Sequence, residues 1–231
     1  MPRALALVAA ATAILAAALV RRRKGPSDAG RVAAPRSAHD DPCGTDRWSL
    51  EPLRRLEWRR FEGLRAAYFE ALGFTTTQAR SGAEGGADIG LAAAGADQPS
   101  SVLQCKGWNV HTVGIKSVRE LRAAMAAAGV PQGVLVACGT FTSEAKEFSR
   151  GESIQLIDGS ELLRKIGALA PEQGQALLKL ATAGDFSTPT CPACGIKMTA
   201  RTSSTEGRKF WGCLNYPRCK RTFFGASNAP A

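Results

Sequence analysis

Between residues 81 and 108 the chain alternates turn-forming and apolar segments in a way that leaves few folds open to it. A glycine-rich turn, Ser81-Gly82-Ala83-Glu84-Gly85-Gly86, delivers Asp88 at the head of a short apolar run over 89–94. A second turn, rich in Gly, Asp, Pro and Ser, reverses the chain into Val102-Leu103-Gln104-Cys105-Lys106. Two short runs joined by such a loop predict a β-hairpin. Side chains alternate faces along a strand, so Gln104 and Lys106 share one face while Leu103 and Cys105 take the other. An acid on one strand can then meet an amide and an ammonium on its neighbour, a set of groups suited to metal-dependent phosphodiester chemistry.

Periodicity sets the surroundings of this hairpin. Pro52 stands where a helix accepts proline, and Leu53, Leu56, Phe61, Leu64, Tyr68 and Leu72 recur at helical spacing until Gly73, which predicts one continuous helix. The Thr-rich stretch 74–80 reads as a strand. A helix over 113–128 carries Ile115, Val118, Leu121 and Met125 on one side, and the continuous apolar run 133–138 is expected to be a strand buried on both faces. A helix over 142–149, a strand over 154–157, a helix capped by Ser160 and ending at Ile166, and a last helix opened by Pro171 complete the order. That order predicts an α/β domain with a mixed sheet and helices on both faces.

With these residues in place, the segment from about 48 to 168 resembles the Mrr-like branch of the PD-(D/E)xK restriction endonuclease superfamily. The resemblance rests on Gly85-Gly86-Ala87-Asp88, on Gln104-Cys105-Lys106, on the preceding helix with Phe61-Glu62, and on the later runs G-V-L-V-A-C-G, T-S-E-A-K-E-F and I-Q-L-I-D-G-S-E-L-L. It implies a restriction-endonuclease-like fold that hydrolyses DNA with Mg²⁺ or Mn²⁺. Asp88, Gln104, Lys106 and Glu62 would be the catalytic group. Asp88, Glu62 and the backbone carbonyl of Cys105 would be the metal contacts, oxygen donors that suit a hard cation. Gln104 stands where many members of the superfamily have Glu, although Gln is typical of this branch. An amide ligates a cation more weakly, so Glu62 or a substrate phosphate must help complete the shell. Glu62 reads equally well as an exposed helix acid, Glu84 as a solvated turn acid, and His111 as incidental. Lys116 and Arg119 are either phosphate contacts or a solvated helix face.

The net charge of +10 is distributed unevenly. Residues 48–168 carry fourteen basic and thirteen acidic side chains, whereas 169–231 carry eight and three. The central segment is therefore no basic clamp, and attraction to a polyanion is expected to come largely from the C-terminal tail. Seven cysteines without a secreted disulfide pattern favour a reducing compartment.

Residues 4–20 hold no charge and are followed at once by Arg21-Arg22-Arg23-Lys24. This predicts a single-pass transmembrane anchor with the remaining domains on the cytoplasmic side of the inner membrane. A signal peptide or a non-inserting Ala-rich helix are the alternatives. Residues 21–47 are too poor in aliphatic side chains to fold and read as a flexible basic linker. His39, Asp40 and Asp41 fall in that linker and have no preformed metal-site geometry.

Cys191-x2-Cys194 and, eighteen residues on, Cys213-x5-Cys219 have the pairing of a structural tetrahedral Zn²⁺ site. The surrounding text, C-P-A-C-G-I-K-M-T-A-R through G-R-K-F-W-G-C-L-N-Y-P-R-C-K-R-T, resembles the C-terminal zinc ribbon of bacterial type IA topoisomerases. A ribbon is expected over 190–225, after a helix and link over 169–189. Arg201, Arg208, Lys209, Phe210, Trp211, Lys220 and Arg221 are its expected DNA-binding residues, since rings stack on unpaired bases while cations track phosphates. Trp211 is expected to be the exposed ring. Together these readings predict a membrane-anchored, Mg²⁺-dependent endodeoxyribonuclease whose ribbon helps hold DNA, with a homodimer among its expected assemblies. A catalytically inactive DNA-binding protein at the membrane, or a resolvase-like structure-specific nuclease, fits the same residues.

Overall fold

The apolar periodicity from Leu53 to Leu72 folds as two helices rather than one. In the computed structural model, which describes residues 47–224 other than 83–85, 97, 107–110 and 205, and only the backbone of 78–82, 86–89 and 224, helix α1 spans Leu50–Arg55 and α2 spans Trp58–Ala71. Leu56 leaves the helical region (φ −58°, ψ 125°). Glu57 then acts as the N-cap of α2, its carboxylate accepting from the backbone N–H of Arg59 at 3.1 Å. A cap satisfies one of the amides that a helix start leaves without a partner, so the break costs little backbone bonding. Gly73, at φ +88°, follows α2 in a left-handed conformation that residues with a Cβ seldom adopt.

Strands β1 (Phe74–Gly82), β2 (Gly86–Ala93), β3 (Ser101–Lys106), β5 (Gln132–Ala137) and β7 (Ile154–Ile157) form one sheet in the order β1-β2-β3-β5-β7. The first three are antiparallel neighbours, and β3, β5 and β7 run parallel. Parallel neighbours need crossovers, supplied by α3 (Ile115–Ala128) between β3 and β5 and by α4 (Ser143–Gly151) between β5 and β7. Both crossovers step the same way across the sheet, which leaves α3 and α4 on one face. Val118, Leu121, Met125 and Ala145 pack there on Val102, Leu135 and Ala137. On the other face Phe61, Leu64 and Tyr68 of α2 pack with Leu103, Cys105, Val134 and Val136. Strand β5 is thus covered on both sides, as its continuous apolar run predicts. Removing a side chain such as Leu121, which is fully buried, would cost about 2–5 kcal/mol.

Several boundaries differ from the sequence reading for local reasons. Val113 does not begin α3. With Thr112 it forms strand β4 (Thr112–Val113), which pairs in parallel with β6 (Thr140–Phe141) and ties the entry of α3 to the end of β5. Helix α5 (Gly159–Ile166) is capped by Asp158, whose carboxylate accepts from the N–H of Glu161 at 2.9 Å, so Ser160 lies inside the helix rather than at its cap. Helix α6 (Pro171–Thr182) is the last helix expected from Pro171, and it does more than lead to the tail. Its Leu177 and Ala181 join the core on the α2 face. Trp48 Nε1 donates to the carbonyl of Gly174 at 2.9 Å, and Arg60 donates to those of Leu180 and Ala183 at 3.2 and 2.8 Å.

Beyond α6, strands β8 (Met198–Thr202), β9 (Lys209–Cys213) and β10 (Thr222–Phe224) form a second, antiparallel sheet in the order β10-β9-β8. It is joined to the α/β core by more than the chain. Thr190 donates to the Glu57 carboxylate through its N–H at 3.3 Å and its hydroxyl at 3.2 Å, and Trp58 Nε1 donates to the Thr190 carbonyl at 2.7 Å. The expected anchor over 4–20 and most of the linker over 21–47 lie outside the described residues. Among the described residues no helix is long and apolar enough to cross a membrane.

Candidate functional site

The first candidate site is the end of β3, where the sheet's alternation sets out Gln104 and Lys106. Strand β3 pairs with β5 so that Gln104 stands beside Leu135 and Lys106 beside Ala137. Val102, Leu135 and Ala137 belong to the α3 layer, which assigns Gln104 and Lys106 to the same layer. Leu103 and Cys105 take the opposite face and are nearly inaccessible, so the Cys105 thiol is a core group as expected. Burial and the neighbouring Cys105 push the Cys138 thiol well above its ordinary value, which keeps this part of the core uncharged.

Strand β2 meets β3 at Ile89↔Leu103, Gly90↔Val102 and Leu91↔Ser101. Asp88 is the residue of β2 just before the first of these pairs. Carried one residue further, the register sets it across from Gln104. The hairpin expected from the turn chemistry is therefore present in the backbone, and the acid, amide and lysine positions converge at one end of it. The Asp88 side chain, Glu84 and Trp108 lie outside the described residues. Glu62 sits half-buried on α2, in the layer opposite Lys106. From the same helix the fully buried Arg65 donates to the carbonyl of Leu103 at 3.3 Å, which fixes α2 against β3.

Lys106 itself is held from the helix side. Its ammonium donates to Glu120 of α3 at 3.2 Å, with the lysine side chain 22% exposed and the glutamate 42%. Sequence reading passed over Glu120, although it falls between Val118 and Leu121 on a helix predicted to cover this face. His111 is exposed and serves the fold through its backbone carbonyl, which accepts from Thr140 N–H at 2.9 Å. Arg119 lies over the Phe148 ring at 5.6 Å, turned toward α4 rather than toward β3.

The second site is the cysteine cluster. One ligand atom from each of Cys191, Cys194, Cys213 and Cys219 lies within 4.8 Å of the others. Burial pushes the Cys191 thiol up, yet hydrogen bonds from the backbone amides of Cys194 and Ala193, with those to the Cys194 and Cys219 sulfurs, together bring it down to about 7. Cys213 is pushed up to about 12, first by desolvation and then by the neighbouring sulfurs. Four thiolates at such separations repel one another strongly unless a cation lies among them. A soft, closed four-sulfur set fits Zn²⁺, with no position left open for chemistry.

Around this cluster the structure corrects the choice of exposed ring. Trp211 is 4% exposed and packs with Cys191, Met198 and Cys213. Alternation along β9 explains it, because Cys213 faces the other three cysteines and Trp211, two residues earlier, takes the same face. The sequence contained that signal. Tyr216 is the exposed ring, at 60%, and the Arg201 guanidinium lies over it at 5.5 Å from the centroid. Arg201 reaches it by crossing Gly212, where a Cβ would come within 2.8 Å of the Arg201 Cδ and Nε. Phe210 is half-buried opposite Arg201 in the β8–β9 ladder. Arg208 is ion-paired with Glu206, which lowers its net attraction for a phosphate, while Lys209 is exposed. Lys220 and Arg221 line a shallow cleft of about 510 Å³ with Asn215 and Arg218, beside Cys194 and Cys219.

Comparison with known proteins agrees with this division. Residues 53–166 match the family described as "Restriction endonuclease", and residues 188–228 match the family described as "Topoisomerase DNA binding C4 zinc finger". No curated protein matches the sequence. Among solved structures, the DNA modification-dependent restriction endonuclease AspBHI is 20% identical over 74% of this chain and 48% of its own, with a TM-score of 0.44. AF1548, a protein of unknown function, is 22% identical over 48% of this chain and 68% of its own, at 0.38. The MspJI restriction endonuclease, solved with a 27-mer oligonucleotide, is 18% identical over 57% of this chain and 33% of its own, at 0.35. The chain spans about half the length of AspBHI.

Proposed function

From a chain that joins a restriction endonuclease domain over residues 53–166 to a topoisomerase-type C4 zinc ribbon over residues 188–228, we propose a divalent-metal-dependent DNA endonuclease whose ribbon binds DNA beside the cleavage domain. What supports this reading is the β2–β3 register, which pairs Ile89 with Leu103 and, carried one residue further, would set Asp88 across from Gln104, two residues from Lys106. Asp88 and the carbonyl of Cys105 would hold Mg²⁺ or Mn²⁺, both being hard oxygen donors. The ion would lower the pKa of a bound water and polarise the phosphate. Lys106 would orient the attacking water and offset the negative charge that builds on the phosphate as the P–O bond to the leaving group breaks. The neutral Gln104 adds no charge of its own, and Glu62, expected from the sequence as a metal contact, lies in the layer across the sheet from Lys106 and is left out of the shell; oxygens of the substrate phosphate would complete it.

In the ribbon, Zn²⁺ on the four cysteines would be structural. Tyr216 offers its face to an unpaired base, with Arg201, Arg218, Lys220 and Arg221 along the phosphates. Residues 4–20 are assigned as a membrane anchor, which fractionation with and without that segment tests. Cleavage itself is tested on duplex, single-stranded and modified DNA with Mg²⁺ or Mn²⁺. Wild type is expected to cut, and Asp88→Ala and Lys106→Ala to bind without cutting. Cleavage that persists in both variants would remove these residues from the site. No cleavage by wild type on any substrate would favour the non-catalytic DNA binder.

A further inference from the structure

The geometry points to Glu120 as the residue that positions Lys106 for phosphodiester cleavage, an inference that rests on the catalytic reading of Lys106. A lysine ends a flexible four-carbon stem, and its ammonium makes no directional fork of the kind arginine makes. To act on a reacting phosphate it must be held near one place, because small misplacements of a catalytic group are costly. Among the described residues the one partner of the Lys106 ammonium is the Glu120 carboxylate, at 3.2 Å.

That carboxylate is presented by an element with little freedom. Val118, Leu121 and Met125 bury one side of α3 against the sheet. On its outer side Arg122 pairs at 2.6 Å with Glu152, the residue that ends α4, and Arg119 covers Phe148 of α4. Strand β4, immediately before α3, is paired with β6. Its neighbours Arg119 and Arg122 thus tie the helix to α4, whereas Glu120 turns back to the end of β3. A partly exposed ion pair of this kind contributes little to stability. Its consequence is therefore orientation of the ammonium on the face that Gln104 shares, where the amide supplies no charge to do so.

The test uses full-length protein, single-turnover cleavage of DNA with Mg²⁺ or Mn²⁺, and DNA affinity measured with Ca²⁺. Glu120→Ala is expected to slow the cleavage step about 10–100-fold, the cost of a catalytic group displaced by about 1 Å, while DNA affinity changes by less than about twofold. Glu120→Asp is expected to recover part of the rate, since it restores the charge from the same helix position. Three outcomes overturn the inference: Glu120→Ala cutting at the wild-type rate, a rate that merely follows a change in DNA affinity, or a loss accompanied by a fall in Tm that Glu120→Asp does not relieve. Should Lys106→Ala cut as fast as wild type, or wild type not cut at all, the catalytic reading of Lys106 fails and this inference falls with it. Normal cutting by Glu120→Ala beside an inactive Lys106→Ala would sink the role of Glu120 alone.

Discussion

Glu57→Ala should uncouple the zinc ribbon from the α/β domain and destabilise both. The Glu57 side chain is 2% exposed and accepts from Thr190 N–H at 3.3 Å, from Thr190 Oγ at 3.2 Å and from Arg59 N–H at 3.1 Å. Lys197 Nζ lies 3.8 Å away on a side chain 36% exposed. Hydrogen bonds to a charged group contribute about 1.5–3 kcal/mol each, and loss of an N-cap costs about 1 kcal/mol. Against them stands the desolvation of a buried carboxylate, several kcal/mol. Truncation removes that penalty but leaves the buried Thr190 donors without an acceptor. Lys197 retains the carbonyls of Asp185 and Thr188 at 3.0 and 2.6 Å, so it adds little to the loss. A net cost of about 3 kcal/mol follows, the low end for breaking a buried charged contact. For a domain of this size that lowers Tm by about 6–12 °C. Zinc chelation supplies the second arm. In wild type, loss of the metal should also loosen Thr190 from Glu57 and lower the unfolding temperature of the α/β domain. In Glu57→Ala that transmitted shift should shrink. Calorimetry with and without a chelator reads both quantities. A variant within 0.5 kcal/mol of wild type, or equal chelator shifts in the two proteins, would refute the coupling.

Tyr216→Ala should weaken single-stranded DNA binding by about 1–3 kcal/mol per stacked base with zinc content unchanged, whereas Trp211→Ala should cost about 3–5 kcal/mol of stability because its ring is core; anisotropy and denaturation separate the two. Gly212→Ala should drive Arg201 off the Tyr216 ring and weaken the same binding severalfold, which fluorescence anisotropy on short oligonucleotides would show; unchanged affinity would dismiss the Arg201–Tyr216 pair as a DNA contact. Asp158→Ala should remove the α5 cap and cost about 1 kcal/mol, a fall in Tm of about 2–4 °C, without altering DNA binding.

Much of the fold was legible in the sequence where its signals are local. Continuous apolar residues identified β5 as buried on both faces, and turn residues around 81–86 and 95–101 identified the hairpin. The helix break at Leu56–Glu57 was not legible, because Leu53, Leu56, Phe61 and Leu64 keep helical spacing across it. Glu57 reads in the sequence as one more helix-surface acid. Its burial depends on Thr190, 133 residues away, which no local pattern announces. Trp211 is different: its orientation followed from Cys213 and strand alternation, and composition alone pointed to the wrong ring.

By itself, then, the sequence determined which four cysteines come together, the succession of the five main-sheet strands with the helices between them, and that Gln104 and Lys106 share one face. Only the tertiary structure decided that Glu120 faces Lys106, that Tyr216 rather than Trp211 meets solvent, and that the ribbon is bonded to α2 through Glu57. Periodicity states which face of an element is apolar; it does not state what comes to cover that face, because the covering groups arrive from distant parts of the chain.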